Sequence, residues 1–102
     1  MQDQIIPKFL AWLNEHRSRL LQRGVGFVIT LPQDQTDLSF AYSDFDTAEH
    51  VARITIWDSG LCDMEMLKIN DGSMILWQHH EFRDWSEAEK AINDFELNLV
   101  TR

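Results

Sequence analysis

Two short polar turns, Asp58-Ser59-Gly60 and Asn70-Asp71-Gly72, constrain this chain more than any other feature. Polar triplets ending in glycine between apolar runs are strong hairpin signals, because glycine supplies the positive φ that reverses a twisted strand pair. The segments they join read as strands. Val51–Trp57 is rich in β-branched residues, Leu61–Ile69 alternates apolar and polar side chains, and Met74–Phe82 continues the pattern. Links this short cannot carry a parallel crossover, which needs about a dozen residues or more, so the three strands form an antiparallel meander.

Upstream, Val25, Phe27, Ile29 and Leu31 alternate before Pro32 and the polar run Gln33–Asp37, which reads as a loop. Leu38, Phe40 and Tyr42 alternate next, and Ser43–His50 reads as an acidic connection. Helices are expected at both ends. Over residues 5–22, Ile6, Phe9, Leu10, Leu13, Leu20 and Leu21 recur at helical spacing, with Pro7 confined to the first turn and Gly24 as the stop. The last helix is announced by a capping box, Ser86 with Glu89 or Asp84 with Glu87, and carries Ala88, Ala91, Ile92, Phe95 and Leu99 on one face. The predicted fold is therefore α+β: a five-stranded antiparallel β-meander flanked in sequence by an N-terminal and a C-terminal helix, packed on one face. At 102 residues and 44% apolar, the chain is expected to form a single domain over 1–102.

A strand's side chains alternate between faces, so parity sorts them. Ala52, Ile54, Ile56, Cys62, Met64 and Met66 suit the helix-covered side, as does the row Met74, Leu76, Gln78, His80 and Phe82. Alternation is expected to fail near Leu67-Lys68-Ile69, at a bulge or the approach to the turn. The same parity gathers Trp57, Asp63, Glu65, Trp77, His79 and Glu81 on the uncovered face. Aromatic rings with carboxylates suit protein recognition, the rings as anchors and the acids selecting Arg or Lys. The competing reading is a solvated face whose tryptophans cover cross-strand pairs.

Charge narrows the partner. The chain has 17 Asp and Glu against 9 Lys and Arg, a net charge of −8, and no Lys or Arg lies between Gly24 and Ala52. Such a surface repels phosphate backbones, which argues against direct nucleic-acid binding, and it steers basic proteins toward itself. No apolar run is long enough to span a bilayer, so no membrane partner is expected. Met1-Gln2-Asp3-Gln4 does not read as a secretory leader, and Cys62, the single cysteine, can form no disulfide within the chain. A cytoplasmic location is expected.

The pair His79-His80 beside Glu81 invites a metal-site reading, but neighbours on a strand point to opposite faces, and no helical His pair or paired-Cys motif supports it. Cys62 could pair with a histidine as a nucleophile, yet its position suits a small apolar core residue. Asp63 and Glu65 share a face without a visible cleft for acid–base work, and the four glycines form no phosphate-cradling loop. No catalytic, metal or cofactor-binding residue is assigned, and the protein is not expected to be an enzyme.

The stretch Trp57-x-Ser59-Gly60-x-Cys62-Asp63-x-Glu65, followed by Asp71-Gly72 and by Trp77-x-x-His80-Glu81-Phe82, resembles the TriTu group of bacterial immunity proteins. The similarity is concentrated between about Val51 and the last helix. It implies a small α+β protein of a polymorphic toxin system that binds and neutralises a cognate toxin. A nuclease toxin must bind phosphate and is often basic, so an acidic inhibitor could cover its groove. Two other readings stay open: an adaptor or oligomerisation module using the open face or an edge strand, and a small metal-dependent enzyme using His79 and Glu81.

Overall fold

The structure, a computed structural model, describes residues 4–33 and 39–101. Helix α1 spans Ile5–Gln22, with Pro7 in the first turn, where its missing N–H is not needed. Ile5, Ile6, Phe9, Trp12, Leu13 and Leu20 are buried along one face. Trp12 joins that face although the expected apolar set omits it, whereas Leu21 points outward and is 61% exposed. The helix ends in a Schellman motif: Val25 N–H bonds Leu20 O at 2.8 Å, Gly24 N–H bonds Leu21 O at 3.0 Å, and Gly24 takes a φ of 81°. Val25, fully buried, then leads into the first strand.

Five strands follow: β1 (Gly26–Thr30), β2 (Phe40–Asp46), β3 (His50–Trp57), β4 (Leu61–Lys68) and β5 (Met74–Glu81). They lie in the order β1-β2-β3-β4-β5, and all neighbours are antiparallel. Helix α2 (Trp85–Thr101) closes the chain, so the fold is the expected α+β meander with a helix at either end. Both turn glycines adopt positive φ, 97° at Gly60 and 71° at Gly72. The register shifts between Met66 and Leu67 opposite β5, where the alternation was expected to fail.

One expectation about strand boundaries needs correction. Ser43–His50 is not a connection, because β2 runs on to Asp46 and β3 starts at His50. Only Thr47–Glu49 join them, with Thr47 Oγ1 accepting from the N–H groups of Glu49 and His50 at 3.2 and 3.0 Å. The alternating row of Phe40 and Tyr42 faces away from the helices, while Ala41, Ser43 and Phe45 point inward against Ile56, Ile54 and Ala52. Leu38 and residues 34–37 of the expected loop lie outside the described residues.

The core forms where both helices meet the inner face. Trp12 and Leu20 of α1 and Ile92, Phe95 and Leu99 of α2 close over Phe45 and Ile54, and the Phe45 and Phe95 rings stand 5.3 Å apart. Glu96, only 4% exposed, accepts from Arg19 and, at 3.0 Å, from Arg23, tying the end of α1 to α2. Asp84 caps α2: its Oδ1 accepts from Glu87 N–H at 3.1 Å and from Ser86 Oγ at 2.7 Å. The Asp84 and Glu87 alternative is thus the one realised, with Glu87 reaching back to Arg83 N–H at 2.7 Å.

The inner face is not wholly apolar. Ser43 Oγ and His50 Nε2 are buried and meet no hydrogen-bond partner among the described residues, a cost of about 1–3 kcal/mol each that the apolar packing must offset. Among the described residues, no helix is long and apolar enough to cross a membrane.

Ile54 lies at the centre of the inner face with no exposed surface. Ile54→Ala is expected to lower the unfolding free energy by about 2–5 kcal/mol in urea titration, whereas Val28→Ala, on the open face, should change it by about 0.5 kcal/mol or less.

Candidate functional site

The face turned away from the helices is organised by the phase of its backbone ladders. Phe82 N–H donates to Gly60 O at 2.9 Å, which makes Gly60–Phe82 a hydrogen-bonded pair. Alternating from there, Asp63–His79 and Glu65–Trp77 are non-hydrogen-bonded pairs. Cα atoms approach to about 4.5 Å in such pairs, against about 5.5 Å in hydrogen-bonded ones. Asp58 N–H to Ser39 O, at 3.0 Å, likewise places Asp44–Arg53 among the close pairs of β2 and β3. Between β3 and β4 the phase is opposite, so Arg53–Glu65 and Thr55–Asp63 stand further apart.

The side chains follow that phase. Arg53 grips Asp44 with two bonds, Nε to Oδ1 at 2.7 Å and a terminal nitrogen to Oδ2 at 3.2 Å. Its guanidinium lies 4.3 Å from the centroid of the Tyr42 ring, and the bond to Asp44 above all holds its pKa above the ordinary arginine value. His79 Nδ1 donates to Asp63 Oδ1 at 2.6 Å. Glu65 has Trp77 as its close neighbour, which offers no charge, and among the described residues no ion pair holds Glu65. Trp77 is 62% exposed beside it. A shallow depression of about 200 Å³ lies alongside, between Val51, Leu67, Arg53, Asp44 and Glu65.

All six residues singled out from the sequence lie on this face. Asp63 with His79, and Glu65 with Trp77, are brought side by side; Glu81 stands opposite Leu61, and Trp57 sits at the end of β3 opposite Phe40. Sequence reasoning missed Arg53, Asp44 and Tyr42, which put a neutralised arginine in the middle of an otherwise acidic surface. The signal was available in principle, since Arg53 shares the parity of Thr55 and Trp57. Its partner was hidden because Asp44 fell in a segment read as a loop.

The two adjacent histidines point to opposite faces. His80 is on the helix side, where Gln78 Oε1 accepts from its Nε2 at 3.0 Å and its ring stacks on Phe82 at 5.2 Å. Burial, and then the neighbouring His79, lower its pKa, which favours the neutral ring. Gln78 remains exposed, at a groove between β5 and α2. The groove, of about 460 Å³, is lined by Gln78, His80, Glu81, Glu87, Lys90 and Asp94 among others.

Catalytic chemistry finds little support in these positions. Burial, reinforced by Asp63, pushes the Cys62 thiol up to about 12, far from the range of a nucleophilic thiolate. Among the described residues, no group of three or more His, Cys, Asp or Glu is placed to hold a metal ion. The face presents an exposed Trp77 ring beside Glu65 and Glu81, which form no ion pair among the described residues.

Compared with family models, residues 7–97 match the one described as Immunity protein TriTu, from the first turn of α1 to near the end of α2. No curated protein matches the chain.

Two outcomes follow from this geometry. In the native protein at pH 8, Cys62 should stay unreactive toward a disulfide reagent and should titrate fully on unfolding in urea. A double-mutant cycle on Asp44 and Arg53 should give a coupling of about 0.2–1 kcal/mol, limited by solvent screening, and a cycle on Arg53 and Glu65 should give less.

Proposed function

The chain belongs to the TriTu family of immunity proteins, and from that premise we propose that it binds and neutralises a cognate toxin domain through the helix-free face of its sheet. The observation that carries this reading is the surplus of unpaired acid beside an exposed tryptophan. Among the described residues Glu65 faces Trp77 without a salt-bridge partner, while Asp44 and Asp63 already hold Arg53 and His79. A basic toxin domain meets that surface with charge complementarity, and a nuclease, which must bind phosphate, fits the description best. Inhibition is by occlusion rather than catalysis. The protein acts in the cytoplasm, where such a toxin would reach its substrate. Trp57, Trp77 and His79 supply contact area, and Asp63, Glu65 and Glu81 select basic groups on the toxin.

The test is co-expression and titration with the toxin domain encoded beside its gene. The triple variant Asp63→Lys, Glu65→Lys, Glu81→Lys should lose rescue from growth arrest and bind ~30-fold or more weakly, with an unchanged circular-dichroism spectrum. Binding that survives this reversal would remove the face from the mechanism.

A further inference from the structure

We propose that the partner docks by strand addition, laying an extended segment of its own along the free edge of β5. This rests on the function proposed above and names how that site is engaged. The ladder phase that pairs the outer side chains also decides which backbone groups are available. Gly60–Phe82 is a hydrogen-bonded pair, so the backbone groups of Gln78 and His80 turn toward β4. Those of Trp77, His79 and Glu81 turn the other way, toward an edge where the sheet order ends and, among the described residues, no further strand lies. The residues whose side chains form the outer face are therefore the same ones whose N–H and C=O groups meet no strand among the described residues.

Edge strands are normally guarded by lysine, proline, shortness or a bulge within the exposed run. Strand β5 is eight residues long, contains no Lys, Arg or Pro, and carries its only formal charge at Glu81. The irregularity opposite Met66 and Leu67 lies at its beginning, before the Trp77–Glu81 run. At the other edge of the sheet, β1 is only five residues long. The net charge of −8 discourages a second copy of this chain and favours a basic partner.

Both sides of the edge can receive an added strand's alternating side chains. On the open side they would meet Trp77, His79 and Glu81, with Asp63 and Glu65 one strand further in. On the helix side they would enter the groove between β5 and α2, lined by Gln78, His80, Lys90 and Asp94 among others. The occupant is thus an extended, basic segment of the toxin domain, with Lys or Arg at every second position facing Trp77 and Glu81. Backbone bonds supply the docking, and the alternating pockets supply selectivity.

Proline at 79 tests the backbone directly. His79 N–H faces the edge, so His79→Pro removes a donor to the incoming strand without removing a β4–β5 bond. His79→Ala removes only the side chain and its bond to Asp63. Titrated with the toxin domain encoded beside the gene, His79→Ala reports the loss of the side chain alone, and His79→Pro should bind at least about tenfold more weakly than His79→Ala. On the wild-type chain, amide hydrogen exchange should show Trp77, His79 and Glu81 gaining protection on binding, with Gln78 and His80 already protected in the free protein. That measurement decides the matter if His79→Pro proves unstable. Equal binding by the two variants, or no new protection at the three amides, overturns strand addition. If Thr55→Arg, at the centre of the open face, still abolishes binding in that case, the face reading survives alone. A toxin domain that neither binds nor is neutralised removes the functional reading, and strand addition with it.

Discussion

Parity along an antiparallel strand is the constraint on which the rest of this structure depends. Ile54, Ile56, Met64 and Met66 must leave water, and once they point toward the helices their sequence neighbours must point away. A one-residue slip of β3 or β4 would expose that core and bury Arg53, Asp63 and Glu65, so the outer face is set by the burial of the inner one. The second constraint is the alternation of close and distant pairs along each ladder. It gives Arg53 to Asp44 instead of Glu65 and gives His79 to Asp63, which leaves Glu65 beside Trp77. The outer face is thus a by-product of where the sheet had to put its methionines and isoleucines.

The chain's few cations are largely committed within the molecule. Arg19 and Arg23 hold the buried Glu96, Arg53 holds Asp44, and Arg83 holds Glu87. Arg17 lies over the Phe27 ring at 4.4 Å. The pair around Glu96 matters most for folding, because a nearly buried carboxylate without its guanidinium partners would carry a large desolvation cost. The exposed pairs contribute little to stability, being screened by solvent. Their larger effect is on the surface field: with Arg53 engaged by Asp44, the outer face presents carboxylates and an indole ring.

Sequence reading succeeded where period and local chemistry agreed. Gly60 and Gly72 mark their turns because a reversal there needs positive φ, and Gly24 ends α1 for the same reason. The inner rows of β3 and β4 were legible because they are uniformly apolar. Strand β2 was not, since its inner row is Ala41, Ser43 and Phe45 while the larger apolar-looking Phe40 and Tyr42 face outward. Tyr42 is retained there by the guanidinium of Arg53, and Phe40 by its place opposite Trp57. A periodicity argument weighs hydrophobicity and cannot see such cross-strand partners, so the second half of β2 read as a loop and Asp44 was lost with it.

By itself, the sequence determined the α+β class, the order of strands through the two glycine turns, the side of the sheet to which the residues of β3, of β4 and of β5 from Leu76 onward belong, and the acidity of the chain. These follow from short-range chemistry and a period of two. Met74, expected on the helix side, instead pairs with Leu67 across the register shift and is exposed. Only the tertiary structure decided which outer residues touch, that Asp44 pairs with Arg53, that Glu65 has no ion pair among the described residues, and that a groove separates α2 from Gln78 and His80. Those outcomes depend on hydrogen-bond phase between strands and on the reach of a helix across a sheet, quantities that no local window of residues contains.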